Sequence, residues 1–161
     1  MQEKNVKEVI RYFYGIPEMV RLLREEEREQ EERYCTLKGT GGEGVPGGGG
    51  SGKPVEDTVI RLDEQGVWER LQEIRVRMVV LQSDAAAVRG CLDSLSGKYK
   101  SILQMRHRRH YSWAAISVRL SAPESTVRSW YGKAVFCMGD VLDEVPMADE
   151  LLARATRART Y

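Results

Sequence analysis

Between Val67 and Leu95 the apolar residues Val67, Leu71, Ile74, Met78, Leu81, Ala85, Val88, Leu92 and Leu95 are separated by alternating steps of four and three. A helix turns about 100° per residue, so this alternation keeps the whole set on one narrow stripe. A strand would split the set between its two faces. The pattern therefore predicts one long helix over residues 55–95, on the order of 60 Å from end to end, with a coiled-coil seam that needs a helical partner.

A partner lies upstream. Val6, Val9, Ile10, Phe13, Ile16, Val20 and Leu23 recur at helical spacing within an N-terminal helical segment, residues 1–38. Beyond Leu23 the run at residues 24–33 consists of strong helix formers without an apolar face, a solvated or frayed extension. Pro17 removes a backbone donor and is expected to kink or divide the helix near Gly15. Nine of the fifteen glycines fall within residues 39–53, so residues 39–54 read as a flexible linker. Through it the first helix can fold back antiparallel on the second; a second copy of the chain is the other candidate. Gly42, Gly44 and Gly47 fit a dinucleotide-binding pattern, and Gly47 to Lys53 begins like a phosphate-binding loop. Pro54 follows Lys53 and no strand precedes the glycines, so both matches read as chance.

The net charge of +1 hides a segregation. Residues 96–138 hold Lys98, Lys100, Arg106, Arg108, Arg109, Arg119, Arg128 and Lys133 against Glu124 alone, a local +7, while residues 1–35, 55–95 and 139–161 are each net negative. A field concentrated in this way fits a phosphate-binding surface; a solvated basic face is the plainer alternative.

The same segment changes texture. Ser96 and Gly97 break the seam, and a short helix follows with Tyr99, Ile102 and Met105 inward. After a basic loop, Ser112 can cap a helix carrying Trp113, Ile116 and Leu120 on its inner stripe. Ser121 and Glu124 match a capping box, which starts a third helix near Ala122 that runs to about Met138. Helix, tight turn and helix in a basic context form a helix-turn-helix, residues 96–141, whose last helix can enter the major groove. Val127, Tyr131, Ala134 and Met138 would anchor it, leaving Ser125, Thr126, Arg128, Ser129, Gly132 and Lys133 outward. Arg128 is the candidate for bidentate guanine readout, and Ser125 and Ser129 are short donors to bases or phosphates. Thr126 can face either way. Arg108, Arg109, Arg119 and Lys133 are candidates for phosphate contacts, with Ser112 beside them. Residues 142–161 form a tail with a short helix around Leu151, Leu152 and Arg154, without an assigned purpose.

At Leu103-Gln104-Met105-Arg106-His107, at 111–120 (Tyr-Ser-Trp-Ala-Ala-Ile-Ser-Val-Arg-Leu) and at Ser125-Thr126-Val127-Arg128 the chain resembles the sigma-70 region 4 helix-turn-helix. It is most similar in layout to the small phage and prophage regulators of the RinA and ArpU type. The likeness covers about residues 95–141. The family's turn carries glycine and then a capping serine where this chain has Ser121 and Pro123. The resemblance implies an all-α protein, a long helical hairpin or coiled-coil stalk followed by a C-terminal sigma region 4-like helix-turn-helix. It also implies control of phage late genes.

Other classes are disfavoured. No run reaches the roughly 18 apolar residues of a membrane span, and the polar start lacks a signal peptide, so a cytoplasmic location without membrane contact is expected. Cys35, Cys91 and Cys137 have no knuckle spacing and read as reduced, mostly buried thiols. His107 and His110 lack nearby carboxylates or thiols for a metal and are placed on the DNA-facing surface; Trp113 is assigned to the core, and Trp130 is left open. No nucleophile with a base is visible, so neither catalysis nor a cofactor is expected. The expected partners are double-stranded DNA, RNA polymerase and further copies of the chain joined through the helical stalk. The competing readings are a small-terminase-like DNA-packaging protein and a coiled-coil adaptor that touches RNA polymerase without reading DNA.

Overall fold

The computed structural model describes residues 1–40 and 54–158. Among them regular structure is entirely helical: α1 (Glu3–Thr40), α2 (Pro54–Ser94), α3 (Gly97–Leu103) with a π-helical turn at Gln104–Arg108, α4 (Trp113–Leu120), α5 (Glu124–Asp143) and α6 (Ala148–Ala158). The glycine-rich segment 41–53 lies outside the described residues, as do the two nucleotide-site matches within it. No helix of the described residues is long and apolar enough to cross a membrane.

The chain divides into two compact units. The first joins residues 1–17 to the chain from Gln82 onward, and the second is residues 18–81. The division near Gly15 expected from Pro17 does not occur, and α1 runs through the proline. Loss of one amide donor interrupts a single bond of the ladder, while the turns on either side keep their own.

In the second unit Leu23, Val67, Leu71, Ile74 and Leu81 are buried and Met78 and Val20 are half-buried, so most of the two apolar stripes faces inward. The charged run after Leu23 is neither frayed nor idle. Glu26 pairs with Arg70 at 2.7 Å, Glu27 and Glu31 both pair with Arg75 at 2.7 Å, and Arg33 pairs with Asp63 at 2.8 Å. Glu26 meets Arg70 while the later Arg33 meets the earlier Asp63, the order of an antiparallel hairpin, and Arg75 reaches along α1 to both Glu27 and Glu31. Exposed pairs of this kind contribute at most about 1 kcal/mol each, so they select register while the seam supplies stability. Trp68, Val76 and Val79 stand outside the seam, 52%, 63% and 64% exposed.

The first unit has its own core. Val6, Val9, Ile10 and Ile16 from α1 are buried, as are Val88 and Leu92 from α2 and Ile102 and Leu103 from α3. Ile116 of α4 and Val127, Ala134, Val135, Met138 and Leu142 of α5 complete it. Gly139 permits a close approach of α1 to α5: a Cβ there would lie 3.0 Å from the Met1 carbonyl oxygen and 3.2 Å from Val6 Cγ2. The tail, unassigned from sequence, docks through Leu151 and Ala155. Its Arg154 reaches buried Asp84 on α2, which also accepts a hydrogen bond from Tyr12. Of the cysteines only Cys91 is buried, where burial pushes its thiol up; Cys137 is half-buried and Cys35 is exposed, correcting the expectation of mostly buried thiols.

Candidate nucleic-acid interface

The basic segment begins with a widened turn. At Gln104–Arg108 the helix takes an extra residue per turn, closing with Arg109 N–H donated to the Gln104 carbonyl at 3.1 Å and Tyr111 N–H to that of Met105 at 3.0 Å. Such turns recur at functional sites because they re-aim side chains. Arg106 then fixes the loop: it donates to the Tyr111 carbonyl at 2.9 Å while its guanidinium lies 4.6 Å from the Trp113 ring centre. The loop passes through His110, a non-glycine residue with φ of 52°.

Ser112 caps α4 as expected, its hydroxyl accepting the Ala115 N–H at 3.2 Å. The capping box expected between Ser121 and Glu124 does not form. Ser121 instead terminates α4 in the left-handed conformation, φ 49°, with its N–H bonded to Val118, and Ala122 N–H bonds to Ser117. The N-cap of α5 is Pro123, which has no capping side chain, and α5 starts at Glu124 rather than near Ala122. The serine thus occupies the backbone conformation that glycine adopts more readily in such turns.

On α5 the inward set is Val127, Ala134, Val135 and Met138, with Tyr131 half-buried. Ser125, Arg128, Ser129, Gly132 and Lys133 are exposed and Thr126 is half-buried. Arg128 is held only loosely, 3.4 Å from Glu124 and 5.4 Å from the Trp113 ring centre. Arg108 and Arg109 are exposed on the widened turn and its exit. Arg119 lies 4.5 Å from the Tyr111 ring centre on the far end of α4. The nine residues singled out from sequence therefore fall on three neighbouring features: the turn with its loop, α4, and the outer row of α5.

One aromatic and one histidine assignment change, and the open one, Trp130, is settled. Trp113 is half-buried, edge-on to Tyr131 at 5.1 Å and flanked by Arg106 and Arg128, so it is not part of the core. Trp130 is half-buried beneath the Lys98 ammonium at 3.9 Å. His107 does not add charge to the surface. It stacks on Tyr131 and shares a 3.0 Å hydrogen bond with its hydroxyl. Burial, then Arg11, Arg106, Lys7 and His110, lower its pKa to about 4. His110 is exposed.

Sequence reasoning missed a contribution from the N-terminal helix. Lys7 and Arg11 of α1 join Arg106, His107, His110, Trp113 and Tyr131 around an open cavity of about 420 Å³. The two cations were hidden because residues 1–35 carry a net negative charge. Their helical spacing of four was the available signal, since it places both on one side of α1. Among the described residues no cluster of three or more metal-ligating side chains occurs.

A family model described as Sigma-70, region 4 matches residues 85–135. No curated protein and no solved structure matches the chain. The match starts earlier than the expected residue 95 and takes in the final turns of α2, which belong to the same compact unit as α3, α4 and α5. Residues 85–135 accordingly form a sigma-70 region 4-like helix-turn-helix within an all-α chain.

Proposed function

We propose that the chain is a transcriptional regulator that reads duplex DNA through the outer row of α5. The observation that carries this reading is the exposed set Ser125, Arg128, Ser129 and Lys133 on a helix whose opposite side is fully buried, in a segment of net charge +7. A helix anchored in this way can enter the major groove without rearrangement. Arg128 reads a guanine in bidentate fashion, giving up weak contacts to Glu124 and Trp113; Ser125, Thr126 and Ser129 serve bases or nearby phosphates. Arg108, Arg109, Ser112, Arg119 and Lys133 hold the backbone.

A single helix-turn-helix reads few base pairs, so pairing of copies on two half-sites follows. Trp68, Val76 and Val79, which lie on one face of α2 at helical spacing, support self-association through the hairpin. Within the resemblance to RinA and ArpU regulators, the target is a phage late promoter and RNA polymerase is the second protein partner. Recovery of bound genomic fragments tests the reading. One enriched motif upstream of late genes is expected; fragments without any common motif would reject sequence-specific regulation.

A further inference from the structure

We propose that the cavity bordered by α1, the widened turn and α4 receives a backbone phosphate of the bound duplex, which makes Lys7 and Arg11 part of the DNA interface. The inference rests on the reading of α5 as the groove helix. Lys7, Arg11, Arg106 and His110 converge there, and no carboxylate lines the cavity. Its remaining lining is Trp113, Tyr131 and His107, the last two hydrogen-bonded to each other at 3.0 Å, which leaves the cations as the groups that meet an anion.

Position gives the cavity its ligand. Trp113 is the first residue of α4 and lines the cavity, so the positive end of that helix is near it, with its Ala115 N–H already capped by Ser112. Trp113 also lies 5.4 Å from the guanidinium of Arg128, the proposed base reader. Cavity and reading residue therefore share a side chain, as they must if one strand is gripped by its phosphate beside the base being read. Lys7 pairs with Glu3, and Arg11 pairs with Glu8 at 3.2 Å. Pairs along one helix contribute about 0.2–0.5 kcal/mol, so exchange for a phosphate is easy. Burial first, and then the neighbouring Arg11, Arg106 and Lys7, keep His107 from adding a further charge to the cavity.

The test uses the full chain and a double substitution, Lys7→Gln with Arg11→Gln. Lys4→Gln with Arg24→Gln removes the same formal charge from α1 outside the cavity and is the control. Affinities for preferred and random duplexes are measured against salt concentration. The cavity variant is expected to lose about tenfold on both duplexes at low salt, with the salt slope reduced by about one. The control retains the wild-type slope. Conservative exchange, Lys7→Arg with Arg11→Lys, is expected to restore it, separating charge from folding. Equal slopes in cavity variant and control, while the wild type binds duplex, overturn the proposal and leave the reading of α5 standing. Failure of the wild type to bind any duplex at low salt removes both. A third arm titrates adenosine monophosphate: binding lost in the cavity variant with an unchanged duplex slope would make the cavity a small-ligand site and also overturn the proposal.

Discussion

Asp84 of α2 accepts two hydrogen bonds from Arg154 of α6, from Nε at 2.8 Å and from a terminal nitrogen at 2.7 Å, although the two residues are 70 positions apart. The Tyr12 hydroxyl donates a third at 2.8 Å. Asp84 is 4% exposed, so its charge depends on these partners. Arg154→Ala removes two of them and leaves a buried carboxylate with one neutral donor. A loss of about 3 kcal/mol is expected, read as a lower denaturant midpoint with an unchanged slope. A change below about 0.5 kcal/mol would show that the tail does not brace the unit.

The turn between α4 and α5 stores strain at Ser121, where φ is 49°. Ser121→Gly relieves the left-handed penalty and should raise stability by about 0.5–1 kcal/mol. Ser121→Val should lower it by more, because a branched side chain suits that conformation worst. Thermal unfolding of the pair decides; a destabilising glycine would mean that the hydroxyl has a function in the turn.

Proton uptake at His107 differs between folded and unfolded chains. The folded pKa is lowered to about 4 from 6.5, so the unfolded state binds the proton first. Stability is therefore highest above pH 6.5 and falls as the pH drops through the window toward 4, by on the order of 2 kcal/mol. His107→Gln, which can still bond to Tyr131, should flatten the profile within that window. A profile unchanged by this substitution would assign the pH dependence to other groups.

Arg128 and Arg109 are predicted to fail differently. Arg128→Ala should cost about 1–3 kcal/mol on the preferred duplex and little on random sequence. Arg109→Ala should weaken both and lower the salt slope by about one. Equal losses for both variants on both duplexes would reverse the division between reading and holding.

Self-association through the hairpin predicts that Val76→Lys with Val79→Glu shifts the chain toward the monomer in sedimentation. The preferred duplex should then be bound more weakly, because the second half-site is no longer tethered. An unchanged sedimentation profile would place any oligomer contact elsewhere.

The long apolar stripe of α2 was legible because burial largely follows spacing: Val67, Leu71, Ile74, Leu81, Val88 and Leu92 are buried, and Met78, Ala85 and Leu95 are half-buried. The inner stripe of α5 was legible for the same reason. The Asp84–Arg154 bond was not, since nothing local marks two residues that meet only after the chain closes. Lys7 and Arg11 were masked by acidic neighbours in sequence, Glu3 and Glu8 among them, which cancel their charge in any segment count although both cations still line the cavity. Ser121 matched a cap by composition, but the turn needed a left-handed residue there and took the serine for that. The widened turn at Gln104–Arg108 has no spacing signature, so both histidines were given the same surface role that only His110 retains.

Residues 18–81 depart from one compact unit and return to it, which makes the hairpin an insertion rather than a leader. Matched additions or deletions of whole heptads in both arms would alter what the hairpin pairs with and leave residues 1–17 joined to the chain after Gln82. On the proposed reading, assembly through residues 18–81 and DNA reading through α5 are encoded on separate stretches of the chain, so a lineage built on this plan can change one without the other.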